Sequence, residues 1–273
     1  MSQLNELIKN CLATSQPMAF GKIGGCEGQH ILGMMSARRI AWTEQLGINA
    51  GVFPLDEPTV ARWAKTYIEA IRCLDGVVQW HDQGCDRELL KILNPTAFVS
   101  TIMEDLLPLG LGPDCWHYGL AGKRVLLVHP MVHTVRAQMT RFSSLWPGAL
   151  LGDLILVRSP YPPWLSGRAE FASYFDALEA MKQAIAGATF DVGIVGAGAY
   201  SLPLVKFMKD LGRPAIHLGG RTQLLFGIRG RRWDAEPQEW KSENGYDSSQ
   251  YWIRPLPEDV PLHKNLVEGG CYW

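Results

Sequence analysis

An α/β fold with a parallel sheet covered by helices on both faces is the class this sequence predicts, and three observations predict it. Short apolar runs of strand length recur along the chain, and amphipathic stretches of helix length alternate with them. The runs end in glycines or polar tips rather than hairpin turns, so each strand is expected to pass into a helix and return parallel. Hydrophobic residues make up 47% of 273 residues, enough for a packed core.

The first helix is expected over 3–13, from Leu4, Leu7, Ile8, Cys11 and Leu12, with Ser2 as its cap. Pro17–Ile23 then reads as a strand, Gly24-Gly25 as its turn, and Cys26-Glu27 as the start of a helix through Met35. Residues 49–54 read as a turn-rich connector. Asp56-Glu57-Pro58 opens a helix whose apolar face is Val60, Trp63, Ala64, Tyr67, Ile68 and Ile71. Short strands are expected at 76–81 and 97–102.

The pattern sharpens from 122 onward. Arg124–Pro130 is a strand with a polar tip, followed by a helix to about Phe142. Leu154–Arg158 is the next strand, and Phe171 to Ile185 marks a long helix. Asp191–Val195 ends at Gly196-Ala197-Gly198, with a helix that stops at Gly212. Pro214–Leu218 ends at Gly219-Gly220, before one more helix. The reading is a single α/β domain: an N-terminal half over 1–118, a Rossmann-like half over 119–233, and an ordered tail over 234–273.

Composition narrows function. The net charge of −1 provides no global field for nucleic acid or anionic lipid, so no nucleic-acid partner is expected. No apolar run approaches the roughly 20 residues that span a bilayer. The N-terminus has no signal-peptide pattern, and the six cysteines have neither zinc-site nor disulfide spacing. A cytoplasmic protein with reduced thiols is expected.

Ligands of open parallel sheets bind beyond the carboxyl ends of the strands. The chemistry is therefore sought at Gly24-Gly25-Cys26-Glu27, His129-Pro130, Arg158-Ser159, Gly196-Ala197-Gly198-Ala199-Tyr200 and His217-Leu218-Gly219-Gly220. Glycine turns that open helices suit a phosphate, through backbone N–H groups and the helix dipole. Ser201 stands where a dinucleotide fingerprint would have its third glycine, and His217 where it would have a ribose-binding acid. NAD is disfavoured on that ground, and a Rossmann methyltransferase lacks its acid at the same tip. Four arginines fall within twelve residues, at 221, 229, 231 and 232, and Arg221 is the expected diphosphate contact, with Gln223 beside it. A solvated basic face would give the same pattern. Glu27 suits a sugar hydroxyl, a divalent ion or a general base, although a first-turn glutamate is also favoured by the helix dipole alone. His129 and His217 are candidate bases, set against a structural role for each; His133 is less well placed. Trp252, Tyr272 and Trp273 can stack on a sugar or base, with core burial as the default.

Lys22–Glu27, Asn49–Pro54, Val128-His129-Pro130, Gly196–Tyr200, His217–Gly227 and the closing Glu268–Trp273 together resemble the GT-D-type glycosyltransferases. The likeness covers most of the chain. It implies a Rossmann-like GT-D fold and sugar transfer from a nucleotide-sugar donor, a UDP-sugar foremost, to a glycan or lipid-linked acceptor in bacterial surface-polysaccharide synthesis. The inner membrane face would be where such an acceptor is met. A divalent cation, Mn²⁺ or Mg²⁺, is usual in that group. Its first motif reads Arg-x-Gly-Asp-Gly-Glu, with both acids near the metal. Here Gly25 occupies the first acid's position and Cys26 that of the intervening glycine, leaving Glu27. A nucleotide-sugar-binding protein without transfer activity is the alternative this departure motivates.

Overall fold

In the computed structural model, residues 3–36, 43–79, 84–106, 112, 114–243, 246 and 250–273 are described. Ser2 and residues 80–81 of the strand expected at 76–81 lie outside them. The described strands form one parallel sheet of seven. They are β1 (Ala19–Gly21), β2 (Gly76–Val78), β3 (Phe98–Ser100), β4 (Arg124–His129), β5 (Asp153–Arg158), β6 (Val192–Val195) and β7 (Ala215–His217). Their order is β3-β2-β1-β7-β6-β4-β5, so β1 and β7 join the two halves in a single sheet. This is the expected α/β Rossmann-like fold.

Both faces are apolar, and the strands show why their sequences run without polar alternation. Along β4, Val125 and Leu127 enter one core, while Leu126 and Val128 enter the other. One face carries α2 (Gly25–Met35), α3 (Glu57–Arg72), α4 (Cys85–Leu93), α6 (Tyr174–Ala186) and α7 (Ser201–Asp210). The other carries α1 (Gln3–Thr14), α5 (Val132–Gln138) and the tail. Helix α3 starts as its sequence dictates: Asp56 accepts from Thr59 N–H at 2.8 Å, and Pro58 sits in the first turn. Its Trp63 and Tyr67 are buried, so Trp63→Ala is expected to cost about 3–5 kcal/mol.

Three local expectations change. Residues 46–50 form a turn of π-helix, closed by Gly51 at φ 88°, where a connector was expected from 49. The helix expected from Phe171 starts at Tyr174, because Ser173 caps it by accepting from Asp176 N–H. The helix after Gly219-Gly220 lasts only one turn, Thr222–Leu225, and ends at Gly227 with φ 62°. The tail is ordered by burial of Tyr246, Trp252, Val267 and Trp273. No helix among the described residues is long and apolar enough to cross a membrane.

The topology fixes where a ligand can enter. Chain leaves β4 toward β5 through α5 on one face, and leaves β6 toward β7 through α7 on the other. Neighbouring strands whose exits part in this way leave a crevice at their carboxyl ends.

Candidate functional site

A cavity of about 690 Å³ fills that crevice and extends along the sheet's carboxyl edge to the tips of β1, β7 and β5. Glu27, His129 and His217 line it together with Gly24, Gly25, Gly196, Gly198, Tyr200, Gly219, Gly220, Arg221 and Gln223. The expected positions are therefore brought into one place from four strand tips and the turn after β7.

At the β1 tip the chain turns into α2 through Gly24, whose extended φ −64°, ψ 142° marks the helix cap. Glu27, in the first turn, folds back over it. A Cβ on Gly24 would lie 2.1 Å from Glu27 Oε2, so this glycine makes room for the carboxylate. Burial raises the Glu27 pKa. Its own backbone N–H and Lys22 act against that rise, and Glu268 adds to it. Lys22 is itself buried. Desolvation and then Arg221 push its ammonium down to about 7, with Glu27 pulling it up.

The other glycines serve the same end. A Cβ on Gly196 would meet Thr222 Oγ1 at 2.3 Å, Gly219 O at 2.8 Å and His129 Cδ2 at 2.9 Å. The tips of β4, β6 and β7 thus meet at a point with no space for a side chain. Gly198, at φ 54°, presses on the Ala50 carbonyl. The sequence suggests these glycines as sites of ligand approach; in the fold they first permit the rim to close on itself.

The histidines are neutral. Burial drives both to about 3, aided at His217 by Lys22. Nδ1 of His129 accepts from Met131 N–H at 3.1 Å. Nδ1 of His217 accepts from Gly219 N–H at 3.2 Å and also lies 3.3 Å from Val195 O. The amide can only donate, and Val195 O already accepts from Leu218 N–H, so the acceptor tautomer fits best. Each ring then carries its proton on Nε2, which makes that nitrogen a donor in this state. His133 is not among the lining residues; its N–H donates to Asp259.

The arginine cluster divides. Arg221 is buried, and desolvation lowers it to about 10; Arg232 pushes the same way, Glu104 and Glu236 oppose. Arg232 pairs with Glu268, donates to Cys271 Sγ at 2.9 Å and lies 4.0 Å over the Tyr272 ring. Arg229 instead donates to Tyr246 O at 3.2 Å, and Arg231 reaches toward Gly269 O at 3.4 Å; neither lines the cavity.

The tail roofs the site. Gln223 Nε2 donates to Tyr272 O at 2.8 Å, and Trp273 Nε1 to Asp259 O at 3.2 Å. Asp259 accepts from Thr134 N–H and Oγ1, both at 2.6 Å, so the N-terminus of α5 is already occupied by the protein's own carboxylate. Trp252 lies in the core, whereas Tyr272 and Trp273 line the cavity. Tyr161, Pro162 and Leu165, beyond the β5 tip, give the cavity an apolar end opposite its charged one.

Three polar atoms of residues at this cavity are buried with no hydrogen-bond partner among the described residues: Tyr200 Oη, on a ring stacked 4.3 Å from Tyr174, Gln223 Oε1 and Trp233 Nε1. Unsatisfied buried groups of this kind cost stability unless a ligand or water answers them. Sequence reasoning did not assign a role to Lys22 or Glu268, and offered Arg229, Arg231 and Arg232 only as lesser diphosphate contacts than Arg221. The signal for Lys22 was a lysine continuing an apolar strand. Arg232 was marked by the arginine cluster and Glu268 by the closing motif, and it is the fold of the tail that brings the two together.

The residues present do not fit a divalent ion. Hard cations need several oxygen ligands, one or two of them free carboxylates where phosphates supply the rest. Gly25 offers none, Glu27 already faces the Lys22 ammonium, and no three His, Cys, Asp or Glu side chains gather as a metal cage among the described residues. No family model, no curated protein and no solved structure matches this chain.

Proposed function

We propose that the protein is a glycosyltransferase that uses a nucleotide-sugar donor, a UDP-sugar foremost, and a glycan or lipid-linked glycoconjugate acceptor. The observation that carries this reading is the convergence of the glycine tips of β1, β6 and β7 with Glu27, Arg221 and Arg232 around one cavity with an apolar end. A nucleoside diphosphate sugar has matching parts. Its diphosphate suits the arginines and the N–H groups of the Gly219–Arg221 turn, which would also stabilise the charge that grows on the leaving diphosphate. Its base suits the apolar end near Tyr161 and Trp273. Glu27, its pKa raised by burial, is better placed as acceptor-activating base or sugar-orienting group than the histidines. His129 and His217 would donate from Nε2 to phosphate or sugar oxygens.

Gly25, in place of a second acid, favours a second reading, a nucleotide-sugar-binding protein without turnover. A panel of nucleotide sugars screened by thermal stabilisation, followed by a donor-hydrolysis assay on each hit, separates the two. Transfer or hydrolysis of a hit, lost in Glu27→Gln, supports the enzyme. Tight binding with no turnover on any donor selects the binding protein, and no stabilisation by any member of the panel removes both.

A further inference from the structure

Gly219, Gly220 and Arg221 collect three cations on one turn. A Cβ on Gly219 would lie 3.5 Å from Lys22 Nζ, and one on Gly220 would lie 2.8 Å from Arg232 Nη1. The third cation is Arg221 itself. They come from three separate places: the end of β1, the turn after β7 and the helical turn Arg231–Asp234. At 220 a Cβ would collide with Arg232, so glycine lets that guanidinium approach, while at 219 the positive φ of 58° favours glycine.

The carboxylates that face this group are Glu27 beside Lys22, Glu268 paired with Arg232, and Glu104 and Glu236 acting on Arg221; His217 stands neutral next to Lys22. The cations work against one another. Arg221 and Arg232 both depress Lys22, and Arg232 depresses Arg221. A fold that gathers like charges in a buried place at this cost is complementary to an anion of more than one charge.

We propose that Lys22, Arg221 and Arg232 stand in for the divalent cation, so that this cavity binds a diphosphate without metal. The inference rests on reading the cavity as a diphosphate site. It goes beyond that reading by assigning the neutralising charge to three side chains.

Isothermal titration of the full chain with inorganic pyrophosphate and with UDP, each in EDTA and in MnCl₂, tests it. The expected result is a dissociation constant in EDTA within about twofold of that in Mn²⁺, since no step of binding needs the ion. Lys22→Met and Arg232→Met are each expected to weaken pyrophosphate binding in EDTA by about tenfold or more, the loss of one charged hydrogen bond. Binding that appears only with Mn²⁺ overturns the inference and leaves the glycosyltransferase reading standing. Pyrophosphate bound in EDTA, with no UDP bound in either buffer, supports the inference and removes the UDP-sugar reading. No binding in either buffer overturns both. The comparison on the wild-type chain needs no variant, so a misfolded substitution cannot blur it.

Discussion

The two edges of the sheet handle charge in opposite ways. At the amino edge, Asp75 accepts from Ala19 N–H at 2.7 Å and pairs with Lys209 at 2.7 Å. Asp191 accepts from Arg124 N–H at 2.8 Å and holds its guanidinium at 2.7 Å. Each charge there meets its opposite, partly in solvent, and ties strand starts together. At the carboxyl edge, Lys22 and Arg221 are buried and Arg232 lies beside them, and each depresses or is depressed by another of the three. The difference teaches what each edge is for. The first closes the fold with its own pairs, whereas the second crowds three cations around a cavity, where a ligand anion would relieve their repulsion.

That contrast can be broken by substitution at either edge. The largest expected effect is on turnover. Glu27→Gln is expected to slow transfer or donor hydrolysis by about 10²-fold or more while leaving the melting temperature near wild type, read by steady-state assay and calorimetry. Turnover at the wild-type level removes Glu27 from the chemistry. Next is affinity: Arg221→Ala is expected to weaken UDP binding by about 1.5–3 kcal/mol, read by titration calorimetry. Gly196→Ala acts on the rim itself. Its Cβ would meet Gly219 O and Thr222 Oγ1, so a loss of about 1–3 kcal/mol in denaturant unfolding is expected, with weaker UDP binding.

The smallest effect belongs to the amino edge. Asp191→Asn is expected to cost about 1 kcal/mol or less, because the pair is partly exposed, and to leave UDP affinity unchanged. Hydrogen bonding to Arg124 holds the Asp191 carboxyl down at about 2. Its contribution is therefore complete above the ordinary carboxylate range and is lost as pH falls toward 2. A pH series of melting temperatures is expected to show a shallower acid loss in Asp191→Asn than in wild type.

Much of the fold was legible because buried parallel strands need continuous apolar runs, and Val125–Val128 and Val192–Val195 have them. The strand tips were legible because glycines and histidines are out of place at the end of such runs. What each glycine does was not. Gly24 and Gly220 are needed because of Glu27, Arg232 and Tyr272, and Arg232 and Tyr272 are distant in sequence from Gly220. The tautomers of His129 and His217 follow from single backbone amides, which periodicity does not report. Lys22 read as part of a strand because its burial depends on β7, far along the chain.

The central claim is that the carboxyl edge crowds like charges together at a cost to the empty fold. Arg221→Met, which keeps the stem and removes the charge, measures it most directly through melting temperature with and without UDP. The account predicts an unliganded melting temperature equal to or above wild type, together with loss of the rise that UDP produces. A lower unliganded melting temperature with the UDP-dependent rise intact would contradict it.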